Sequence, residues 1–371
     1  GNEKLFQKKQ LSVSLRHFEN FCRYLNKKNY KTLFLVEWYT LQKQIQPINN
    51  KHIVLTFDDG YLDNWTFAYP LLKKYGLKGV IFINPEFVDP SVKLRNNLED
   101  VNFKVDKLST KDKLGFLNWP EIKEMSKSGV MDIQSHSMSH NRYFYSNKIV
   151  ELYHGQSKYN WLAWIEKPER KPYYMIEDQK NYVPYGSPVF ENDRALSLRR
   201  YFPDDRLIEK GRDLFSKYAN KAKLSDGNKD RILSTLENLT KQKYPGYFES
   251  NDEMKKRYEY ELFESKRILE EKLNKKVDFL CWPGGGYNEL ALDISELAGY
   301  KASTLASRDS IYNINNGHQY KRLPRFGMGS FIYKNGKRIP AKLSNHLILS
   351  FHAKSGEHWA KIPLKIQKIL S

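Results

Sequence analysis

The strongest constraint on the fold is an apolar run that stops abruptly at two adjacent carboxylates. Residues Ile53 to Phe57 are rich in β-branched and aromatic side chains and lack the alternation of a half-exposed strand, which predicts a strand covered on both faces. Asp58 and Asp59 follow directly, and Gly60 permits a tight turn. Successive strand side chains point to opposite faces, so both carboxylates can serve one site only where the strand ends. An exposed turn is the alternative, because charged groups are rarely buried unless paired or bound to metal.

A second candidate motif is the histidine pair His136 and His140, which uses two of the nine histidines of the chain. The pair follows a short apolar segment, Val130 to Ile133. Its i, i+4 spacing predicts that both imidazoles lie on one side of a helical turn, a common arrangement for a divalent metal. A carboxylate from elsewhere in the chain would complete a catalytic set of three ligands. For this motif alone, a solvated polar loop is the alternative.

Together, the run Thr56-Phe57-Asp58-Asp59-Gly60 and the later His-Ser-x-x-His run resemble the polysaccharide deacetylase family, also called the NodB-homology domain or carbohydrate esterase family four. The resemblance covers residues 50–140 and 255–355. It implies an α/β fold of the distorted (β/α) barrel type. It also implies the removal of N-acetyl or O-acetyl groups from glycans by a water molecule that a metal activates.

The resemblance assigns roles to individual residues. Asp59, His136 and His140 are the expected metal ligands, and Asp58 is the expected general base. A divalent ion would lower the pKa of water from about 16 toward 7. Zinc is the first choice for two imidazoles and a carboxylate, while cobalt, nickel or iron would fit nearly as well.

The apolar run from His346 to Phe351 ends at His352 and is predicted to be a strand. It resembles the closing motif of the family, whose histidine faces the metal. By this resemblance His352 would protonate the leaving nitrogen. A core histidine with satisfied hydrogen bonds is the alternative.

A glycine cluster, Cys281 to Tyr287, follows another predicted strand. Family members usually carry an arginine here that orients the catalytic base, whereas this chain has Cys281 and Trp282. Arg322 or Arg325 is the predicted substitute. The turn is also expected to stabilise the oxyanion through a backbone N–H and to contact substrate, and these roles involve Pro283, Gly284, Gly285, Trp282 and Tyr287.

The chain is predicted to form one barrel domain, residues 1–371, with a largely helical and irregular insertion at residues 141–250. Strand and helix patterns alternate up to His140, are lost in the insertion, and resume after it. The insertion is rich in aromatic residues, which either pack under a lid or stack on sugar rings. The aromatics expected to contact the glycan are Trp161, Trp164 and Tyr185.

The net charge of +19 favours an anionic partner, such as an anionic glycan or a membrane surface. Nucleic acid is not expected, because no RNP, helix-turn-helix or zinc-finger pattern is present. No apolar run approaches the roughly 20 residues of a membrane helix. The start at Gly1 without methionine is interpreted as a cleavage site, which predicts an extracytoplasmic protein that has lost a signal or anchor.

Three functions remain open at this stage. The favoured one is N-deacetylation of an amino sugar in an envelope, capsular or biofilm polysaccharide. The alternatives are an O-acetyl esterase of the acetylxylan type and a catalytically inactive glycan-binding module. A serine hydrolase is not indicated, because the chain has no Gly-x-Ser-x-Gly run.

Overall fold

The computed structural model describes residues 13–44, 51–105, 114–220, 223–305 and 321–370. Gly1, on which the prediction of a removed leader rests, lies outside these ranges. The strands, numbered in chain order, are β1 Lys31–Thr32, β2 His52–Ile53, β3 Thr56–Phe57, β4 Gly79–Ile83, β5 Met131–Ser135, β6 Arg142–Leu152, β7 Pro188–Arg194, β8 Tyr201–Phe202, β9 Tyr247–Phe248, β10 Phe279–Leu280, β11 Ala302–Thr304, β12 Arg322–Leu323, β13 Phe331–Lys334 and β14 Lys337–Pro340.

The helices of the same ranges are numbered in the same way. The α-helices are α1 Leu15–Lys27, α2 Leu35–Lys43, α3 Tyr69–Lys74, α4 Trp119–Lys127, α5 Leu162–Glu166, α6 Asp205–Tyr218, α7 Asp226–Gln242, α8 Asn251–Glu259, α9 Ser265–Leu273, α10 Glu289–Leu297, α11 His346–Lys354 and α12 Lys361–Leu370. Two π-helical turns, Asn64–Ala68 and Tyr260–Glu264, lead into α3 and α9. Short 3₁₀ helices are Pro85–Phe87, Ser157–Tyr159, Pro168–Tyr173, Gln179–Tyr182, Ala195–Ser197, Pro283–Gly285 and His358–Ala360.

Six parallel strands form the central sheet in the order β12-β11-β10-β5-β4-β3. Phe57 of β3 pairs with Ile81 of β4, and Ile83 of β4 pairs with Ser135 of β5. Because the strands are parallel, their carboxyl ends meet at one edge of the sheet, the usual place for a ligand site in α/β proteins. The chain segments that follow β3, β5 and β10 therefore converge there.

The core follows from the sequence pattern of the sheet and its helices. Every residue of β4 is buried, as expected of a strand covered on both faces. In α1, Phe21, Cys22 and Leu25 recur at helical spacing and are buried against the sheet side of the molecule, with Ser14 as the N-cap. The prediction of an α/β fold of the distorted (β/α) barrel type is confirmed, because a six-stranded parallel half-barrel with covering helices forms the centre of the molecule.

The insertion contains β-structure that the sequence analysis did not predict. Strands β6 and β7 form an antiparallel pair, β6 begins two residues after His140, and β8 pairs with β9. Helices α6 and α7 pack against the β6–β7 pair around a separate apolar cluster. Residues 141–250 thus contain an antiparallel strand pair with a helical layer, and the prediction of a largely helical and irregular segment was incomplete.

The prediction of a strand before His352 was wrong. Residues His346–Lys354 form helix α11, which packs against α1. Its buried side chains His346, Leu349 and His352 recur every three residues, which is a helical face. Short apolar runs do not distinguish a strand from a buried helix by periodicity alone.

Candidate metal centre and active site

Asp59, His136 and His140 lie together at the carboxyl edge of the sheet. One ligand-type atom from each residue lies within 4.8 Å of the other two. Asp59 Oδ1 is 3.2 Å from His136 Nε2 and 3.4 Å from His140 Nε2. Both Asp59 and His140 have left-handed backbone conformations, with φ of 70° and 52°, which are uncommon outside glycine. The structure therefore brings the three residues of the predicted ligand set to one point.

The end of β5 fixes the orientation of His136. Its backbone N–H donates to Ile83 O at 2.9 Å, and its Nδ1 lies 2.7 Å from Cys281 O. A carbonyl can only accept, so Nδ1 carries a proton, and Nε2 is the ring nitrogen that faces Asp59. This is the arrangement of a metal-ligating histidine. The predicted helical turn was wrong, because residues 136–141 are irregular and left-handed residues bring the imidazoles together.

The donor atoms of this cluster fit a divalent metal. Asp59 Oδ1 and His140 Nδ1 are buried and make no hydrogen bond among the described residues. Buried polar atoms without a partner are rare, and an ion among the three side chains would supply a partner for the carboxylate oxygen. Burial alone would raise the pKa of Asp59, but the imidazoles of His136 and His140 outweigh it and hold this pKa far below its usual range. The carboxylate is thus in the ionised form that ligation requires.

Asp58 lies beside the cluster and is held by Arg325. The guanidinium donates from both terminal nitrogens, at 2.7 Å to Asp58 Oδ1 and 3.1 Å to Oδ2. Burial alone would lower the pKa of Arg325, but Cys281 and Asp58 outweigh it and leave the pKa raised, so the arginine stays charged. Arg322 instead packs over the Tyr287 ring. Of the two predicted substitutes for the family arginine, the structure places Arg325 on the candidate base.

Cys281 stands where the family usually has its arginine, and it lies next to Asp58 and His136, one residue from each sequence motif. Its Sγ is 3.7 Å from Asp58 Oδ1. With Asp58 and His136 it forms a second group of ligand-type atoms. The thiol is buried and fills the space between the candidate base and His136.

One aromatic of the insertion, Trp164, lies beside the cluster. Its ring centroid is 6.0 Å from that of His140, and it packs on Phe87 and Tyr174. Burial raises the pKa of Tyr174 to about 12, and nearby Asp59 acts in the same direction, so this phenol stays protonated. Phe87, Trp164 and Tyr174 form an aromatic wall around His140.

The other two aromatics predicted to contact the glycan are packing residues. Trp161 is 5% exposed and contacts Phe144 inside the insertion. Tyr185 packs against two of the apolar clusters of the insertion. The structure therefore does not bring Trp161 or Tyr185 to the cluster.

The glycine turn approaches the cluster from β10. Gly285 N–H is used inside the turn, where it donates to Trp282 O at 2.9 Å. A Cβ on Gly284 would lie 2.7 Å from Arg194 Nε, so the arginine of the insertion covers this turn. Trp282 is buried and stacks on Tyr287 rather than facing a cleft. A narrow cleft between the turn and His140 is lined by Pro283, Gly286 and Arg194.

His352 lies elsewhere. Its Nε2 is 2.6 Å from Tyr24 Oη, and its Nδ1 is 2.7 Å from Glu357 Oε1. The ring is buried between α1 and the turn that follows α11, beside Trp359. None of these partners belongs to the cluster. The structure thus corresponds to the alternative, a core histidine with satisfied hydrogen bonds, and does not bring the expected acid to the cluster of Asp59, His136 and His140.

Three polar residues that bind the backbone of residues 136–140 were not found from the sequence. Asn84 donates to the backbone carbonyls of His136 and Ser137, Glu261 accepts from the following two amides, and Lys171 donates to the carbonyl of Ser139. Asn84 had a recognisable signal, because it follows β4 at the same sheet edge. Glu261 and Lys171 come from a helix and from the insertion, and nothing in their sequence surroundings distinguishes them from surface charges.

Comparisons with known proteins bear on the same region. The profile of the family described as polysaccharide deacetylase matches residues 46–171. The curated protein "Putative polysaccharide deacetylase YxkH" of Bacillus subtilis (strain 168) is 31% identical over 130 residues, which is 35% of this chain and 38% of that protein. The segment matched by the family profile includes Asp58, Asp59, His136 and His140. Residues 46–171 of this chain therefore match the polysaccharide deacetylase family, as the two motifs indicated.

Solved structures show a weaker likeness. The BpsB deacetylase domain of Bordetella bronchiseptica superposes with a TM-score of 0.46 at 16% identity, covering 78% of this chain and 76% of that one. A de-N-acetylase from Aggregatibacter actinomycetemcomitans superposes with a TM-score of 0.49 at 16% identity, covering 85% of each chain. At these values the likeness does not extend to function.

Proposed function

We propose that this chain is a metal-dependent hydrolase that removes acetyl groups from a glycan. The favoured reaction is N-deacetylation of an amino sugar in an envelope, capsular or biofilm polysaccharide. The observation that carries the proposal is the convergence of Asp59, His136 and His140 beside an aspartate, Asp58, that Arg325 holds in place. A module that only binds glycan has no need of a base positioned next to a ligand set.

Asp59, His136 and His140 are the residues that would hold the metal. When bound, a divalent ion supplies Lewis acidity and lowers the pKa of water toward about 7. The aromatic wall excludes bulk water from one side of His140, which strengthens electrostatic interactions at the centre.

Asp58 is the proposed base. Both its oxygens accept from Arg325, yet the side chain is 36% exposed and is therefore accessible to a water molecule. It takes a proton as the water oxygen bonds to the acetyl carbon. The carbon–nitrogen bond then breaks, acetate leaves, and the amine nitrogen needs a proton. Because His352 is held by Tyr24 and Glu357, we assign this second step to the proton that Asp58 has just accepted.

Substrate would enter between the glycine turn and the aromatic wall. Gly284 is the proposed oxyanion donor of the turn, because the N–H of Gly285 is engaged and Pro283 has none. Trp164 offers an apolar face for the acetyl methyl group or the sugar ring. Arg194 places a cation beside the cleft, and with the net charge of +19 it supports an anionic glycan.

An extracytoplasmic location follows from a polymeric substrate of the envelope and is part of the proposal. Among the residues that the structure describes, no helix is both long enough and apolar enough to cross a bilayer.

The deciding experiment measures acetate released from a panel of N-acetylated and O-acetylated glycans. We expect release from an N-acetylated amino-sugar polymer, its loss after treatment with a chelator, and its return when zinc or cobalt is added. Release from O-acetylated xylan alone would support the esterase alternative. Retention of activity after complete removal of metal would contradict the proposal.

A further inference from the structure

The segment that carries the second and third ligands has no regular secondary structure of its own. Residues 136–141 connect β5 to β6, and the backbone is left-handed at Ser137, with φ of 59°, and at His140, with φ of 52°. Such conformations persist only where the surrounding structure holds them. We call residues 136–140 the histidine loop. Its shape, and with it the place of the His140 imidazole, depends on the groups that bind its backbone.

Glu261 binds the middle of the histidine loop. One carboxylate oxygen accepts from Met138 N at 3.1 Å and from Ser139 N at 2.9 Å, while the other accepts from the Ser139 hydroxyl. Glu261 is 2% exposed and belongs to the π-helical turn Tyr260–Glu264, which follows the insertion. Three donors from two successive loop residues thus end on a single buried carboxylate.

Lys171 binds the same loop from the insertion. Its ammonium donates to Ser139 O at 3.0 Å and is paired with Glu86, and the lysine side chain has no exposed surface. Tyr260 Oη donates to the other oxygen of Glu86 at 3.1 Å. Burial lowers the pKa of Lys171, and Glu86 opposes that shift. A lysine without solvent access is rare unless paired, so this contact is a specific feature of the fold.

The two groups converge on one residue, Ser139, which directly precedes His140. Glu261 accepts hydrogen bonds from the N–H and the hydroxyl of Ser139, and Lys171 donates one to its carbonyl oxygen. All three polar groups of Ser139 are therefore engaged. Loss of either partner frees one of the two peptide units that flank Ser139, directly before His140.

We propose that Lys171 and Glu261 are positioning residues of the metal centre, so that metal affinity depends on the insertion as well as on the barrel. The inference rests on the proposed metal site. It gives the insertion a second role besides lining the cleft, because the segment 168–173 reaches back to the loop that supplies His140. Partners that hold metal ligands in this way typically change affinity about 10- to 100-fold when removed.

The test is a zinc titration of the metal-free protein, residues 1–371, against a competing chromophoric chelator. We expect Lys171→Met and Glu261→Leu to raise the zinc Kd about 10- to 100-fold. We expect Glu261→Gln to bind zinc nearly as the unmodified protein does, because the amide oxygen can accept from both N–H groups and the amide nitrogen can donate to the Ser139 hydroxyl. The visible spectrum of the cobalt form should change in the first two variants, since it reports ligand geometry.

A matched control is Lys229→Met. Lys229 also belongs to the insertion and is paired with Glu151 at 2.7 Å, away from the histidine loop. Its loss should leave the zinc Kd and the cobalt spectrum unchanged even if the melting temperature falls. If Lys171→Met fails to fold, Lys171→Met/Glu86→Gln removes both charges of the buried pair and carries the same expectation.

Unchanged zinc affinity and cobalt spectrum in folded Lys171→Met and Glu261→Leu would overturn the inference while leaving the proposed metal centre intact. An equal loss of zinc affinity in Glu261→Gln and Glu261→Leu would also overturn the inference, because glutamine can keep the hydrogen bonds to the histidine loop and leucine cannot. Failure of the unmodified protein to bind zinc or cobalt would instead overturn the proposed function itself.

Discussion

Two regions of this chain have the same sequence signature, an apolar run that ends in a residue suited to catalysis, and they have different structures. The run before Asp58 is strand β3 of the parallel sheet, and its end lies beside the ends of β4 and β5. The run before His352 is helix α11, packed on α1. The first delivers two carboxylates to a shared site, whereas the second delivers an imidazole to a tyrosine and a glutamate.

The partners of each region explain the difference. Asp59 Oδ1 is buried without a hydrogen bond among the described residues, and His136 and His140 direct Nε2 toward it, which leaves these atoms able to bind an ion. His352 has both ring nitrogens within hydrogen-bonding distance of Tyr24 and Glu357. A metal-binding centre needs side-chain atoms that are not already hydrogen-bonded, whereas both ring nitrogens of a structural histidine have partners. The following predictions test this contrast.

The largest effect is expected at the proposed base. Asp58→Asn removes the proton acceptor but no metal ligand, so acetate release should fall about 10²- to 10⁴-fold while bound metal is retained. Steady-state kinetics and elemental analysis on the same sample measure both quantities. Loss of metal together with activity would mean that the roles of Asp58 and Asp59 are exchanged.

A smaller effect is expected at the aromatic wall. Trp164→Ala should raise the KM for polymer about 3- to 10-fold, which corresponds to the roughly 0.5–1.5 kcal/mol of one aromatic contact. Trp161→Ala is the matched comparison, because this buried ring should cost about 3–5 kcal/mol of stability and leave the KM of the folded protein unchanged. A polymer KM that responds to Trp161 rather than Trp164 would contradict the assignment of the wall.

The smallest effect on catalysis is expected at His352. The variant His352→Gln should release acetate within about twofold of the rate of the unmodified protein. Its melting temperature should fall, because His352 acts in packing. The imidazole of His352 holds the pKa of Glu357 below its ordinary value. A carboxyl group whose pKa is lowered on folding stabilises the folded protein at pH values above its ordinary pKa. This stabilisation is lost as the pH falls through the lowered pKa. The difference in free energy of unfolding between the unmodified protein and His352→Gln should therefore become smaller as the pH falls into the acid range.

Thermal melts of both proteins across a pH series measure this difference, and acetate assays at neutral pH supply the second quantity. A loss of activity in His352→Gln comparable to that of Asp58→Asn would restore His352 as the catalytic acid.

Much of the site could be predicted from the sequence because its chemistry is local. Asp58 and Asp59 adjoin one strand and His136 adjoins another, and parallel topology makes the ends of such strands meet. Arg325 could be predicted for a similar reason, since it follows β12 at the same edge of the sheet. In these cases the residue type and its position directly after an apolar run are enough to predict that the side chain lies at the site.

The remaining features depend on contacts between segments far apart in the chain. Lys171 and Glu261 reach the histidine loop across long sequence separations, and the paired β6 and β7 lie on either side of a stretch of short helices. Helix α11 has an apolar run whose length suits a strand equally well. In each case tertiary packing, rather than local pattern, decides the structure.

The central claim is that Asp59, His136 and His140, and not His352, form the metal centre. Elemental analysis of the unmodified protein, a His136→Ala/His140→Ala variant and His352→Gln tests it most directly. We predict about one divalent ion per chain in the unmodified protein and in His352→Gln, and none in the double variant. Full metal occupancy in the double variant, or its loss in His352→Gln alone, would contradict the claim.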